Sequence, residues 1–290
     1  MTQRAEDGPN AQQAEYWNDV SGRRWVEMGD VIDAQIAPLG RTAMERAGIE
    51  PGERIVDVGC GCGQTTLELA ARVGEKGRVL GLDISQPMLE SARDRAAREG
   101  TKQVSFEQAD AQTHEFEAGT FDLLFSRFGV MFFSSPAEAF ANLRSALRPG
   151  GRLTFIAWQE PNKNPWMILP AMAAFKHLPA PESPPDPTAP GPFAFADPER
   201  VEGILREAGF QDVGLEALER DLLVGGGRPL DETVEFLAQL GPAGAALREA
   251  SPELRQTVMR EIHDAITSYQ VDDGIRMPSA TWIASARNPG

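Results

Sequence analysis

Between residues 54 and 158 the chain alternates short apolar runs with stretches in which apolar residues recur every three or four positions. Ile55-Val56-Asp57-Val58 reads as a buried strand and Thr65 to Val73 as a helix. Arg78 to Asp83 is a second strand, apolar until its final acid. Ser85 is the expected cap of the next helix, with Pro87 in its first turn and Leu89, Ala92 and Ala96 facing inward. Val104 to Gln108 and Phe121 to Phe125 are the third and fourth strands. A helix from Pro136 to Leu147 stops at Arg148-Pro149-Gly150-Gly151, and Leu153 to Trp158 is the fifth strand. These strands lack polar alternation and are separated by helices, which predicts a parallel sheet covered on both faces. In such a doubly wound α/β layout, ligands sit at the carboxyl ends of the strands.

The flanks have a different rhythm. Residues 1–10 read as a loose tail, and 11–47 as helical, with Tyr16, Trp17 and Trp25 in the first half. After Trp158, residues 179–192 hold seven prolines in fourteen positions and read as an extended or irregular loop. Asp197-Pro198 opens a helix carrying Val201, Ile204, Leu205 and Ala208 and closed by Gly209. A strand over 212–224 runs into Gly225-Gly226-Gly227, and helices follow near 231–248 and 252–270. The second of these opens at Ser251-Pro252, with Leu254, Val258, Ile262 and Ile266 on one face; Ser279 to Ala286 is the last strand. The expected division is an N-terminal helical lid (1–48), an α/β core (49–160), a substrate-side insertion with helices and one core strand (161–275), and the last strand with a tail (276–290).

Composition narrows the partners. The 290 residues are 41% hydrophobic, and 28 Lys and Arg face 43 Asp and Glu, a net charge of −15. That balance argues against a surface that neutralises nucleic-acid phosphates. The only cysteines, Cys60 and Cys62, are too close for an ordinary disulfide and read as small residues filling a tight turn. The three histidines, His114, His177 and His263, show no metal-ligand spacing. Residues 1–10 lack the apolar centre of a signal peptide, and no apolar run approaches a membrane span. A cytoplasmic protein of a reducing compartment, acting on a small-molecule substrate, is the expectation; its oligomeric state, homodimer included, stays open.

The candidate chemistry begins at Val56-Asp57-Val58-Gly59-Cys60-Gly61-Cys62-Gly63-Gln64. Glycines at alternate positions leave bare backbone where a strand turns into a helix, so a ligand can reach main-chain N–H groups. A dinucleotide fingerprint needs its third glycine at the sixth position, which here is Gln64, and a phosphate loop needs a terminal Gly-Lys-Ser/Thr. Asp83, 20 residues after Gly63, ends the second strand, where a carboxylate can accept from both hydroxyls of a ribose. Asp110 follows the third strand and could take the exocyclic amine of adenine; Met88, one helical turn beyond Asp83, could pack on the adenine face.

With these residues the chain resembles the class I S-adenosylmethionine-dependent methyltransferases, and within them the ubiquinone/menaquinone branch. The resemblance covers residues 50–160 well, through Asp57 to Gly63, Leu82-Asp83-Ile84-Ser85, Ala109-Asp110-Ala111, Phe121 to Ser126 and Leu147 to Gly151. It implies a Rossmann-like, mostly parallel seven-stranded sheet of order 3-2-1-4-5-7-6 with the seventh strand antiparallel. It also implies S-adenosyl-L-methionine as cofactor and S-adenosyl-L-homocysteine as product. By the same resemblance Gly59, Gly61 and Gly63, with Cys60 between them, line the methionine and ribose. Asp57 lies beneath, orienting the loop or meeting the ammonium through water. Asp83 and Ile84 hold the ribose end, Asp110 and Ala111 meet the adenine, and Ser126 and Arg127 border the sulfonium. Cys62 departs from the family, which usually carries threonine, serine or proline there.

Methyl transfer from a sulfonium is an in-line displacement with an excellent leaving group, so alignment and desolvation supply most of the rate. A base is needed only when the acceptor must lose a proton. His114 reads as a solvated loop residue, His263 as the polar side of a helix, and His177, beside the proline-rich stretch, as the best base candidate, though a structural role competes with it. Arg127 needs a partner if buried: an internal ion pair with Asp122 or another acid, or an acidic substrate or cofactor carboxylate. Tyr16, Trp17 and Trp25 are candidate lid contacts. Phe128, Met131, Phe132, Phe133, Trp158, Trp166, Phe193 and Phe195 are the pool from which a hydrophobic pocket would draw. The leading reading is a methyltransferase acting on a small, apolar or aromatic molecule. The alternatives are an NAD-dependent oxidoreductase and a non-catalytic cofactor-binding regulator.

Overall fold

The computed structural model describes residues 8–178 and 186–290. The expectations placed on residues 1–7 of the tail, and on 179–185 of the proline stretch, lie outside them. Among the described residues, eight strands form one sheet: β1 (Arg54–Val58), β2 (Arg78–Asp83), β3 (Val104–Gln108), β4 (Phe121–Arg127), β5 (Leu147–Trp158), β6 (Gln211–Val224), β7 (Gln270–Val271) and β8 (Gly274–Arg287). Their order is β3-β2-β1-β4-β5-β8-β6, with β7 paired only to β8. The pairs from β3 to β5 are parallel, and β8 runs antiparallel to both β5 and β6. The expected order is therefore realised with β8 as the seventh long strand; the two-residue β7 is an addition, the short arm of a hairpin into β8.

The helices are α1 (Ala11–Asn18), α2 (Val20–Glu27), α3 (Gly29–Ala47), α4 (Gln64–Val73), α5 (Gln86–Glu99), α6 (Pro136–Ala146), α7 (Pro165–Phe175), α8 (Pro198–Glu207), α9 (Leu230–Leu237), α10 (Gly241–Glu249) and α11 (Pro252–Ile266). One covering layer is α3, α4 and α5; the other contains α6 and α8. The central strands read as apolar because both faces are covered: Ile55, Val56, Leu123, Leu124, Phe125, Phe155 and Ile156 are completely buried. Helix α3 is more than a lid. Eleven of its residues are buried, and it packs on β4, β5 and β6.

Three local expectations change, and one helix is an addition. The cap at Ser85 is positional only: its hydroxyl donates to Trp17 O at 2.6 Å, and no side-chain bond closes α5. By contrast Asp197 does cap α8, accepting from Glu199 N and Arg200 N. The helix expected near 231–248 is two, because Gly241 sits at φ 59° and Pro242 cannot donate a helical hydrogen bond. Strand β5 starts at Leu147 rather than Leu153; Phe121 pairs with Leu147 and Leu123 with Arg152, so Arg148 to Gly151 bulge out between two paired stretches. Helix α7 had no sequence expectation: Pro165-Trp166-Met167-Ile168-Leu169-Pro170 is apolar all round and offers no periodicity to read.

Candidate functional site

The glycine loop lies between β1 and α4, and the backbone explains its glycines. Gly59, Gly61 and Gly63 have φ of 69°, 55° and 82°, conformations that disfavour a Cβ. At Gly59 a Cβ would also come within 2.7 Å of Gly129 Cα, in the loop after β4. Space is tight for a second reason: a Cβ on Gly61 would meet Met88 Cε at 3.0 Å, so Met88 of α5 lies directly against the loop.

Asp83 ends β2 and is buried. Its Oδ2 accepts from Gly61 N at 2.8 Å and its Oδ1 from Ser85 N at 2.8 Å. Burial raises its pKa above the usual carboxylate range, and these N–H groups work in the opposite direction. Each oxygen keeps an acceptor site for a further donor. Asp57 lies at the second-last position of β1, 1% exposed. Its Oδ2 accepts from Thr66 Oγ1 at 2.7 Å, while its Oδ1 is buried with no partner among the described residues. Burial pushes its pKa up to about 7, against the Thr66 hydrogen bond and the Arg127 charge. The two cysteines are free and buried; burial raises both thiols, Cys62 to about 11, so neither is a ready thiolate.

At the end of β3, Asp110 and Ala111 are both buried. Here residue 10, read from the sequence as part of a loose tail, is instead anchored. Asn10 is 3% exposed and donates from Nδ2 to Asp110 Oδ1 at 2.9 Å and Oδ2 at 3.0 Å. Asn18 of the same segment bridges Ile84 O and Gln86 N. The N-terminal helices are thereby bonded to the ends of β2 and β3.

Arg127, at the end of β4, does not pair with Asp122, which engages Arg148 and Arg54 N instead. Its partners are Asp33 of α3, at 3.0 Å, and Gln64. Asp33 also holds Arg95 of α5 at 2.7 Å. Ser126 is buried, its hydroxyl donating to Val58 O at 2.7 Å and accepting from Gly129 N.

The aromatic candidates divide. Trp17 makes edge contacts with Tyr16, Trp25 and Phe132, so the lid aromatics meet the loop after β4; Tyr16 remains half exposed. Phe128 has φ 64°, unusual for a bulky residue, and stacks on Trp158 with centroids 4.1 Å apart and planes 3° apart. Trp166 meets Trp158 edge-on, and its buried Nε1 has no partner among the described residues. Met131 is buried in the same region, its carbonyl accepting from Gly191 N. Phe195 sits apart, packed on Phe140 and Phe155 inside the core. His114 is a correction: its side chain is only 10% exposed, packed edge-on against Phe116 rather than solvated. His177 lies 3.6 Å from Glu261 of α11, and His263 is partly exposed near Asp231 and Asp264. Asn10, Asp33, Thr66, Gln112 and Gly129 were not singled out from the sequence. Only Gly129, in Ser126-Arg127-Phe128-Gly129, carried a local signal, a glycine following a strand end.

Comparison with known proteins gives a consistent set. A methyltransferase domain family matches residues 55–151. The ubiquinone/menaquinone biosynthesis C-methyltransferase UbiE of Teredinibacter turnerae is 34% identical over 139 residues, 47% of this chain and 56% of that protein. The nocamycin O-methyltransferase of Saccharothrix syringae is 31% identical over 202 residues, 65% of this chain and 72% of that protein. The chain thus spans little more than half the length of several curated relatives it matches and nearly three quarters of this one. Among solved structures, a Haemonchus contortus phosphoethanolamine N-methyltransferase 2 in complex with S-adenosyl-L-methionine superposes with a TM-score of 0.59 at 19% identity, over 96% of this chain and 60% of that one. At that identity the likeness speaks to the fold.

Proposed function

The chain belongs to the class I S-adenosylmethionine-dependent methyltransferases, and on that premise we propose that it transfers a methyl group to a small, apolar or aromatic molecule. The observation that carries the reading is Asp83. A buried carboxylate at the end of β2 is oriented by Gly61 N and Ser85 N and still has acceptor capacity facing the glycine loop's neighbourhood. A ribose diol matches that capacity. Asp57 Oδ1, buried beneath the same loop with no partner among the described residues, fits the cofactor's ammonium group, directly or through water. The N–H groups of Gly59, Cys60, Gly61 and Gly63 are engaged by Leu82 O, Leu82 O, Asp83 Oδ2 and Cys60 O, so the positive-φ glycines shape the turn rather than offer free donors to a ligand. Bound there, the cofactor supplies a methyl on a positively charged sulfur. The protein's own contribution is to align the acceptor in line with that methyl and exclude water.

Support for an apolar acceptor comes from Phe128, Trp158 and Trp166 at the carboxyl ends of β4 and β5 and just beyond. The strained backbone of Phe128 holds its ring flat on Trp158, and the Trp166 Nε1–H, without a partner among the described residues, would suit a carbonyl or phenolic oxygen. The relatives' names support a small organic acceptor while differing in the atom methylated, carbon in one and oxygen in the other. We assign no general base, since the displacement itself needs none.

Titration calorimetry with S-adenosylhomocysteine tests the cofactor site; absence of heat at high micromolar concentration ends the reading. A screen of quinols, phenols and polyketide-like acids, monitored by S-adenosylhomocysteine release, tests the acceptor class. Cofactor binding with no turnover on any acceptor would instead favour a binding protein without chemistry.

A further inference from the structure

Strand β6 ends the sheet order and runs for 14 residues, more than twice the length of an average strand. Its middle is open to solvent: Glu216, Ala217, Glu219, Arg220 and Asp221 are exposed, and Leu218 is half-buried. One side of the strand faces β8. Ser279 Oγ donates to Arg220 O at 2.6 Å and Thr281 Oγ1 to Leu218 O at 3.2 Å, each across its own cross-strand pair. The main-chain groups of Leu218 and Arg220 therefore point toward β8, and those of Ala217, Glu219 and Asp221 point away from it. These outward groups have no hydrogen-bond partner among the described residues.

A row of free N–H and C=O groups is a template for another strand, and proteins blunt such edges with bulges, prolines or charged side chains. From Gly214 to Val224 the pairing with β8 is regular, and the segment contains no proline and no lysine. Its charges are of both signs, so their order decides what can pair with it. A second copy meeting this edge antiparallel sets outward-facing residues against outward-facing residues, which leaves two-fold registers centred on a residue. Centring on Glu219 or on Asp221 sets that acid against itself. Centring on Arg220 sets arginine against arginine and Glu219 against Asp221. Centring on Ala217 makes no charge pair. Centring on Leu218 sets leucine against leucine, and Glu216 of each copy against Arg220 of the other. Opposite charges across a strand pair stabilise it and like charges oppose it, so the charge order selects the last register. On the other face Glu219 then meets only the small Ala217 and stays in water. Glu216 already accepts from Arg46 at 2.9 Å, but both side chains are half exposed, and a carboxylate has acceptor sites for a second guanidinium.

We infer that β6 is a self-association edge: two copies of the chain join their sheets antiparallel through β6, with Leu218 at the two-fold axis between two Glu216–Arg220 ion pairs. The occupant is a second copy because the strand's charge order is its own complement.

The test is sedimentation equilibrium of the full chain at about 0.15 M salt, where a Debye length of about 8 Å screens the repulsion between two chains of net charge −15. The wild type should show a concentration-dependent equilibrium between monomer and dimer. Glu216→Arg and Arg220→Glu each set like charges opposite one another and should raise the dimer dissociation constant about tenfold or more. Mixed in equal amounts, the two variants should form a heterodimer with close to wild-type affinity, since every arginine then faces a glutamate. That recovery also shows that both variants are folded. Leu218→Cys should give a disulfide-linked dimer on mild oxidation, because this central pair is a non-hydrogen-bonded one with Cα atoms about 4.5 Å apart. A wild type that stays monomeric up to its solubility limit overturns the inference. So does a dimer that survives both charge variants, a mixture that does not regain it, or a Leu218→Cys chain that does not cross-link, since association then uses another surface or register. None of these outcomes depends on the methyltransferase reading.

Discussion

Replacing Asp57 by Asn isolates the electrostatics beneath the glycine loop. The amide keeps an acceptor for Thr66 Oγ1 and removes the ionisable group. Burial raises the Asp57 pKa from 3.8 to about 7, and that shift makes stability depend on pH. Between about pH 4 and pH 7 the native protein keeps a proton on Asp57 that the unfolded chain has released. Native protein binds more protons there, so stability falls as pH rises through the window and levels off above it. Below about pH 4 both states are protonated and the penalty vanishes. At roughly 1.4 kcal/mol per unit the full shift is worth about 4 kcal/mol, of which about 3 kcal/mol falls between pH 4.5 and pH 8. Urea unfolding of wild type and Asp57→Asn, followed by tryptophan fluorescence at those two pH values, gives the difference directly; every other titrating group cancels. The stability gap should move by about 3 kcal/mol toward the variant at pH 8. A gap unchanged to within about 0.5 kcal/mol would refute the buried, protonated Asp57. Pairing with a cofactor ammonium would lower this pKa, so wild-type affinity for S-adenosylhomocysteine should rise from pH 5 to pH 7, and the Asn variant should lack that part of the slope.

Three further outcomes follow from the geometry. Asp83→Ala removes the proposed ribose acceptor and the partner of Gly61 N and Ser85 N, and should weaken S-adenosylhomocysteine binding on the order of a hundredfold by calorimetry; an unchanged dissociation constant contradicts the ribose role. Gly59→Ala combines a φ of 69° with a Cβ 2.7 Å from Gly129 Cα, whereas Gly48→Ala has φ 59° and open space, so the first should cost at least about 1–2 kcal/mol more in denaturant unfolding; equal costs would remove the close approach as the reason for glycine. Asp33→Ala removes the carboxylate shared by Arg127 and Arg95, leaving Gln64 to the first and the exposed Asp30 to the second, and should destabilise by about 3 kcal/mol, while Arg127→Met leaves Asp33 paired with Arg95 and should cost about 1 kcal/mol; a reversed order of melting temperatures would show that Asp33 is not the hub.

Features decided by a few neighbouring residues were legible from residue order. The unalternated strands β1, β4 and β5 predicted a parallel sheet because burial on both faces demands mostly apolar residues, whereas β3, expected to lack alternation too, is a partly exposed edge strand in which Ser105 and Glu107 alternate with Val104 and Phe106. The three loop glycines predicted bare, unusual backbone, and each has positive φ. Asp197-Pro198 predicted a capped helix, and the cap hydrogen bonds are present. The strand order came through the family resemblance rather than through periodicity.

Buried polar partnerships escaped, because they join segments far apart along the chain. Arg127 announced a need for a partner, but the acid that meets it, Asp33, lies 94 positions away on a helix facing the loop. His114 sits in a polar stretch and looked solvated; Phe116 and the chain around it cover it. Asn10 stood in a polar segment with no apolar pattern, and its burial arises only because α1 docks where β3 ends. Short-range steric and hydrophobic preferences thus specify strands, helices and turns from neighbouring residues alone. Which charges and amides become buried together depends on where whole elements pack, since desolvation and hydrogen-bond geometry are properties of the assembled interior.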